Sequence, residues 1–417
     1  MSRLGRVGVL RPFTLREFRL LWTGLAVSLL GDGLFFVALA WQAYELSDSP
    51  SSVALIGLAW TAPMVALLLV GGVIADRFDR RRVMIVSDAV RGLAVAAMGV
   101  LAVAGELELW HLFALAAVYG AGDALFPPAF GAIVPDIVPP DLLVQANSVD
   151  QFVRPFALQL AGPALSGVLV AAFGAGAVFL ANAGSFAVSM TALLAMRPAP
   201  ALRRHASGGV AHEIRQGLRF VRSHTWLWGT LAAAGLFLLV WLGPFEVLLP
   251  YVIKTELGGS ARDLGLVFAS AGLGSILAAL VMAERRLPRR VITFMYAAFV
   301  LSSSGGIVYG LAEEIWPMML MALAAGAGAG AGTIVWMTLL QRHVPGELLG
   351  RVTSLDWFVS TSLVPVSFAL TGPVAAALGA RETLVAAGVL GAGIVSAFLF
   401  LPGMRDLERR PAATSSA

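Results

Sequence analysis

The 417-residue sequence has no cysteine, and only 13% of it is Asp, Glu, Lys or Arg. Without cysteine there is no disulfide and no thiol chemistry. The histidines at 111, 205, 212, 224 and 343 are scattered and offer no metal-ligand spacing. No Gly-x-x-x-x-Gly-Lys-Ser/Thr run occurs, so an ATP site of that type is excluded. No nucleophile, histidine and acid stand together in a loop. Hydrolysis and primary pumping therefore have no residues to carry them, and neither an enzyme activity nor a resident metal or cofactor is expected. The shortage of charge says more. A soluble domain carries about 25% charged residues, whereas this chain is 58% hydrophobic with a mean hydropathy of +0.83. In water it would expose large apolar patches, so it is read as a polytopic membrane protein. The pI near 9.9 then reflects membrane insertion, and no nucleic-acid partner is expected.

What is present is a series of apolar runs. A basic lead over 1–19 carries Arg3, Arg6, Arg11, Arg16 and Arg19. It opens into a long run rather than a short one ending in a cleavage site, so the first run is expected to stay as a span. Spans follow at 20–45, 53–75, 83–104, 110–134, 149–172 and 177–196. A polar stretch at 197–225 interrupts them, and within it Ala211 to Val221 can form an amphipathic helix on the membrane face. Six more spans are read at 226–252, 263–283, 291–311, 315–340, 354–378 and 383–402, before a polar tail. Each is near the roughly 20 residues that cross about 30 Å of hydrocarbon. With both ends on one side, 24 of the 29 Lys and Arg fall on that side and 3 on the other, Arg91 and Arg154 lying in or near spans. The positive-inside rule places both termini and the central loop in the cytoplasm, in an inner or plasma membrane.

The two halves repeat. Asp76-Arg77 answers Glu284-Arg285, Gly162-Pro163 answers Gly372-Pro373, and Pro139 answers Pro345, at nearly one offset. The expected fold is all-α and membrane-embedded, with twelve transmembrane helices in two six-helix bundles. Residues 1–196 form the first bundle, 197–225 a cytoplasmic loop, 226–402 the second bundle and 403–417 a cytoplasmic tail.

The organising stretch is Gly71-Gly72-Val73-Ile74-Ala75-Asp76-Arg77-Phe78-Asp79-Arg80-Arg81-Arg82, a charged turn between two spans. It resembles the loop between helices 2 and 3 of the major facilitator superfamily, whose pattern is Gly-x-x-x-Asp-Arg-x-Gly-Arg-Arg. Gly72, Asp76, Arg77, Arg80 and Arg81 match, while Asp79 stands where many members have glycine. The resemblance implies a cytoplasmic latch between the halves in the outward-facing state, with Asp76 facing a helix N-terminus, where the helix dipole favours a carboxylate. Setting topology alone is the plainer reading. Parallel six-plus-six repeats fit that superfamily, with the substrate site expected near the midplane.

Acids inside spans are costly, at least about 2.5–3.5 kcal/mol on insertion scales, and must face a cavity or a partner. Asp32 lies in span 1 within Leu30-Gly31-Asp32-Gly33-Leu34-Phe35, a setting that resembles the exporter branch holding macrolide, tetracycline and siderophore efflux proteins. A structural bond to a neighbouring helix is the alternative. Glu45, near the outer end of the same span, is read as solvated. Asp88 and Arg91 in span 3 stand at ion-pair spacing and are read as structural. Asp123 in span 4 precedes Pro127-Pro128, which should break the helix. It can bind a cation, take a proton or pair with Arg154. The turn after span 4 holds Asp136 and Asp141, partners for the arginines at 77–82. Span 5 contains Gly162-Pro163-Ala164-Leu165-Ser166-Gly167, an incomplete likeness to a drug-antiporter signature. Aligning Glu45 with Glu256 puts Glu246 of span 7 at the position of Phe35, three residues from Asp32, so both acids are expected to face the cavity. The alternating glycines from Gly326 to Gly332 are read as close helix packing, and Asp356 as a cap on span 11. Phe35, Phe126 and Trp336 are candidates for a greasy cavity wall.

These readings converge on a proton-coupled exporter of lipophilic drug-like compounds, acting as a monomer in the bilayer. Buried carboxylates suit protons because burial disfavours the charged form. Two other readings stand beside it. One is the same fold exporting a siderophore, secondary metabolite or lysophospholipid, with Arg154 as a ligand for anionic cargo. The other is a non-transporting membrane sensor or assembly partner.

Overall fold

A computed structural model describes residues 8–139, 142–197, 210–284 and 288–409. The structured part is helical, with no strand among the described residues. In chain order the α-helices are α1 (Arg16–Leu46), α2 (Pro50–Arg77), α3 (Arg80–Ala104), α4 (Leu109–Asp123), α5 (Phe126–Ile137), α6 (Leu143–Pro155), α7 (Gly162–Ala195) and α8 (Val210–Arg222). They continue with α9 (Thr225–Tyr251), α10 (Ala261–Glu284), α11 (Val291–Ser303), α12 (Gly305–Leu311), α13 (Ile315–His343), α14 (Gly346–Ser362), α15 (Val364–Leu378), α16 (Ala380–Leu399) and α17 (Asp406–Arg409). Short π-helical turns at Phe156–Ala161 and Val252–Glu256 extend spans 5 and 7.

Eleven helical stretches among the described residues are long and apolar enough to cross a bilayer. One of them, Phe152–Ala195, runs for 44 residues, well beyond a single crossing. Within it Gly174 takes φ +78° and ψ 163°, a left-handed backbone that glycine reaches without steric cost. Gly174 therefore separates spans 5 and 6, which makes twelve spans among the described residues. Span 4 is broken at Ala124-Leu125, between α4 and α5. The cause is Pro127-Pro128, which cannot donate to the helix ladder. The amphipathic stretch of the central loop is α8, placed within one residue of its expected bounds.

The chain packs as two compact units, Met1–Arg203 with Ile253–Gly272, and Arg204–Val252 with Leu273–Ala417. In the first unit α1 lies along α7, and α3 packs on α7 and α4. Its core gathers Phe18, Trp22, Met84, Phe126 and Ile133. The first turns of α10 belong here too. A Cβ on Gly265 would stand 2.6 Å from the Pro163 carbonyl oxygen, and one on Gly272 2.1 Å from that of Gln159. In the second unit α9 packs on α15 and α16, and α11 on α13 and α16. Trp226, Tyr296, Trp336 and Met404 are in its core. Of the glycines of span 10, Gly328 sits against the Ala298 carbonyl, Gly330 against Ser275 and Gly332 against the Phe299 ring.

The two units repeat one construction. On α1, a Cβ at Gly33 would stand 2.5 Å from the Ala157 carbonyl oxygen. On α9, a Cβ at Gly243 would stand 2.6 Å from the Ser367 carbonyl oxygen. Both members of the pair are displaced by 210 positions, the offset of Gly162-Pro163 and Gly372-Pro373. At the start of span 4 Trp110 donates to Glu108 at 2.8 Å, and at the start of span 10 Trp316 donates to Glu314 at 2.5 Å. That pair shares the offset of Pro139 and Pro345.

Candidate functional site

The first unit concentrates its buried charge on one arginine. Ser87, Asp88 and Arg91 lie on the inward stripe of α3, at or near full burial. Asp32 is half-way along α1, where glycines on either side let α7 approach: a Cβ at Gly31 would collide with Ser185 and Asn182. Tyr119 and Asp123 come from the last turns of α4, just before the proline break, and Ser87 secures that end by donating to the Gly122 carbonyl at 2.8 Å.

Arg91 Nη2 donates to Asp88 Oδ1 at 2.6 Å. Its Nη1 lies 3.4 Å from Asp123 Oδ1 and 3.6 Å from Asp32 Oδ2. The other oxygens are held as well: Tyr119 donates to Asp32 Oδ1 at 2.9 Å, and Ser189 on α7 to Asp88 Oδ2 at 2.6 Å. The guanidinium carbon lies 4.8 Å from the ring centroid of Phe126 and 4.7 Å from that of Phe186, close enough for cation–π attraction. Asp88 is 0%, Arg91 3% and Asp32 7% exposed. One guanidinium thus serves three carboxylates. With all four ionised the cluster would hold two uncompensated negative charges in an apolar setting, where mutual repulsion is weakly screened. A proton on any of the three removes one of those two surplus charges.

The sequence reading of Arg91 as a structural partner of Asp88 alone is too narrow: Arg91 is the hub. No pattern along the chain signals this, because its partners come from three other positions on α1, α3 and α4. Tyr119 and Ser189 were missed for the same reason. Of the alternatives for Asp123, direct pairing with Arg154 is replaced by Arg91. Arg154 instead donates to Asp150 one turn earlier at 3.1 Å, and its side chain is 41% exposed.

The aromatic candidates divide. Phe126 lies over Arg91. Phe35 is 1% exposed and stacks on Tyr119, with centroids 4.8 Å apart, so it is packing behind a polar residue rather than an open wall. Trp336 is in the core of the second unit and donates Nε1 to Asp356 at 3.0 Å. That bond also corrects the reading of Asp356 as a cap: α14 begins ten residues earlier, at Gly346. Glu246 lies on α9 of the second unit, half-buried, and makes no hydrogen bond or ion pair with a described residue. Under the offset of 210 it answers Phe36 rather than Phe35, still one turn beyond Asp32. Leu242 then stands where the second half would repeat Asp32, and under the span-4 offset Ala329 stands where it would repeat Asp123. The cluster is confined to one half.

At the charged turn, Asp79 accepts from the Arg81 backbone N–H at 3.0 Å and so caps α3, which accounts for an aspartate in place of glycine. Arg80 pairs with Asp136 and donates to the Ala132 carbonyl at 3.1 Å, and Arg81 donates to the Met196 carbonyl. These bonds tie the turn to the ends of α5 and α7. The backbone of Gly72, Asp76 and Arg77 forms the last turns of α2, but their side chains lie outside the described ones. Asp141 and Arg285 are also outside the described residues.

Comparison with known proteins places this geometry. The fold is that of major facilitator transporters. A bacterial homologue of the human lysosomal transporter Spinster, solved in an inward-facing, unoccupied conformation, superposes with a TM-score of 0.70 at 15% identity, over 95% of this chain and 98% of that one. The family model described as transmembrane secretion effector matches residues 7–416, and the chain belongs to that family of membrane transporters. The multidrug efflux pump Tap of Mycolicibacterium fortuitum is 29% identical over 91% of this chain and 94% of its own. Macrolide efflux protein A of Streptococcus pyogenes is 21% identical over 94% and 97%.

Proposed function

We propose that the protein exports lipophilic, drug-like compounds from the cytoplasm by alternating access, driven by the proton gradient, in a cell membrane with both termini on the cytoplasmic side. The observation that carries this reading is the sharing of Arg91 among Asp32, Asp88 and Asp123. The fold does not need those charges: the second half builds the same α1-type contact with Leu242 in place of Asp32. Charge kept at a cost in one half only is charge with work to do. A proton taken by Asp32 or Asp123 cancels one negative charge and releases one of the ties that Arg91 makes between α3 and its neighbours. Proton binding is thereby linked to the packing of α1, α3 and α4 on one another. Relatives that carry the names of a multidrug and a macrolide efflux pump support a lipophilic cargo. The alternative with Arg154 as a ligand for anionic cargo loses support, because Asp150 already pairs with it.

The test is transport by the purified protein in liposomes under an imposed pH gradient, with a panel of lipophilic compounds. Asp32→Asn should abolish gradient-driven export while the protein stays folded. Undiminished export by that variant would remove the coupling role.

A further inference from the structure

The amphipathic helix α8 presents two opposite stripes. Gly217 and Val221, one turn apart, are buried. A Cβ on Gly217 would stand 3.2 Å from Arg351 Cβ and 3.3 Å from Leu355 Cδ1 of α14. Val221 joins Trp226 and Leu227 of α9 in the core of the second unit. At about 3.6 residues per turn, Arg215, Leu218, Arg219 and Arg222 fall at i, i+3, i+4 and i+7 on the other side, and all four are exposed. An interfacial helix puts its apolar face into the bilayer. Here the apolar stripe packs on the protein instead, and the arginines point away from it.

Arg215, Arg219 and Arg222 make no ion pair or side-chain hydrogen bond with a described residue. The charged groups of the elements packed on α8 are engaged elsewhere. Arg351 of α14 donates to Gln216, and Asp356 accepts from Trp336. On α9, His224 Nδ1 lies 3.0 Å from the Phe220 carbonyl oxygen, and Glu246 stands near the opposite end of the helix. Asp406 of α17, which with Thr225 lies against Gly403, is exposed and forms no ion pair with a described residue. The side chains of Glu213 on α8 and Glu347 on α14 are outside the described ones.

Two apolar side chains indicate what meets this stripe. Trp228, on the first turn of the span α9, is 39% exposed, the placing of an aromatic residue at a bilayer interface. Arg222 lies three residues before that span begins, so the end of the stripe stands at headgroup level. Leu218, also 39% exposed, lies among the arginines rather than opposite them. Setting topology requires positive charge but no such leucine. A leucine flanked by arginines suits a surface of phosphates over hydrocarbon. Guanidinium groups take phosphate oxygens in a two-pronged bond, and anionic lipid attracts basic side chains beside a span.

We propose that the stripe of Arg215, Leu218, Arg219 and Arg222 binds the headgroups of anionic phospholipids, and so anchors the start of α9 at the membrane surface. The proposal is independent of the cargo and of proton coupling.

The experiment titrates the purified full-length protein, in an uncharged detergent, with phosphatidylglycerol. It reads the lipid concentration that gives half of the rise in thermal unfolding temperature, with phosphatidylcholine and inorganic phosphate as parallel arms. Phosphatidylglycerol should act at a concentration about tenfold lower than phosphatidylcholine. The triple variant Arg215→Gln, Arg219→Gln and Arg222→Gln should unfold as the unmodified protein does without lipid, since these side chains have no protein partner. It should need about tenfold more phosphatidylglycerol. Arg219→Gln alone should need about threefold more, and lysine at all three positions should keep most of the response. Arg289→Gln, Arg290→Gln and Arg342→Gln together remove the same charge from other exposed positions of the second unit, and should leave the titration unchanged. The proposal is overturned if phosphatidylglycerol is no better than phosphatidylcholine, which would leave the stripe to solvent or to an acidic partner. It is overturned as well if the α8 variants titrate as the unmodified protein does. A matching loss in the control triple would reduce the effect to net charge, and an equal rise with inorganic phosphate would make the stripe a free-anion site; either result also overturns it.

Discussion

Tyr119 on α4 donates its hydroxyl to Oδ1 of Asp32 on α1 at 2.9 Å, inside a core where both are buried. Phe35 stacks on the same ring and holds it in place. A hydrogen bond to a charged acceptor is worth about 1.5–3 kcal/mol, and one to a neutral acceptor about 0.5–1.5 kcal/mol. Tyr119→Phe should therefore cost more stability when Asp32 is ionised than when it is protonated. The deficit in thermal unfolding temperature against the unmodified protein should narrow as the pH of the detergent solution falls. A deficit that is constant across pH would mean that Asp32 keeps one protonation state throughout.

The same cluster predicts an asymmetry between removing the cation and removing an acid. Arg91→Ala leaves three carboxylates without a buried counter-charge, and breaking a buried ion pair in this way costs about 3–5 kcal/mol. Asp123→Asn removes one of two surplus negative charges, so stability should be unchanged or higher. Thermal unfolding of the purified variants checks both. If Asp123→Asn were as damaging as Arg91→Ala, Asp123 would be an obligatory structural partner of Arg91, and the surplus-charge account would fail.

The close contacts repeated between the halves predict paired effects. A methyl at Gly33 or at Gly243 would meet a carbonyl oxygen at 2.5 or 2.6 Å, and overpacking of this kind costs about 1–3 kcal/mol. Gly33→Ala and Gly243→Ala should lower the unfolding temperature to a similar degree. Gly131 is the control, since a methyl there would meet nothing within 4 Å. Gly131→Ala should be neutral or slightly stabilising. Destabilisation at Gly33 without a matching effect at Gly243 would separate the two contacts that the repeat makes equivalent.

Much of the fold was legible in the sequence because the bilayer imposes it. Twelve apolar runs, the proline break in span 4 and the amphipathic stretch in the central loop each follow from a local rule. The repeat was legible from spaced glycines and prolines, although its register at Glu246 was off by one. Glu45 and Glu256, which set that register, lie near the span ends, where the repeat is least exact. The contact of Gly33 with Ala157 and of Gly243 with Ser367 supplies the better landmark. The site was less legible. Asp32, Asp123 and Glu246 stood out as acids inside spans, whereas Tyr119 and Ser189 passed as ordinary polar residues of membrane helices.

Residue composition and spacing by themselves determined that this chain is a membrane protein of twelve helices in two related halves, because each span must meet the thickness of the hydrocarbon and satisfy its own backbone. Which side chains meet was decided only by the tertiary structure. The meeting of Asp32, Asp88 and Asp123 on Arg91 depends on how α1, α3 and α4 are rotated about their axes and how closely glycine lets them approach. Those rotations follow from packing between segments far apart in the chain, and spacing along any single helix does not contain them.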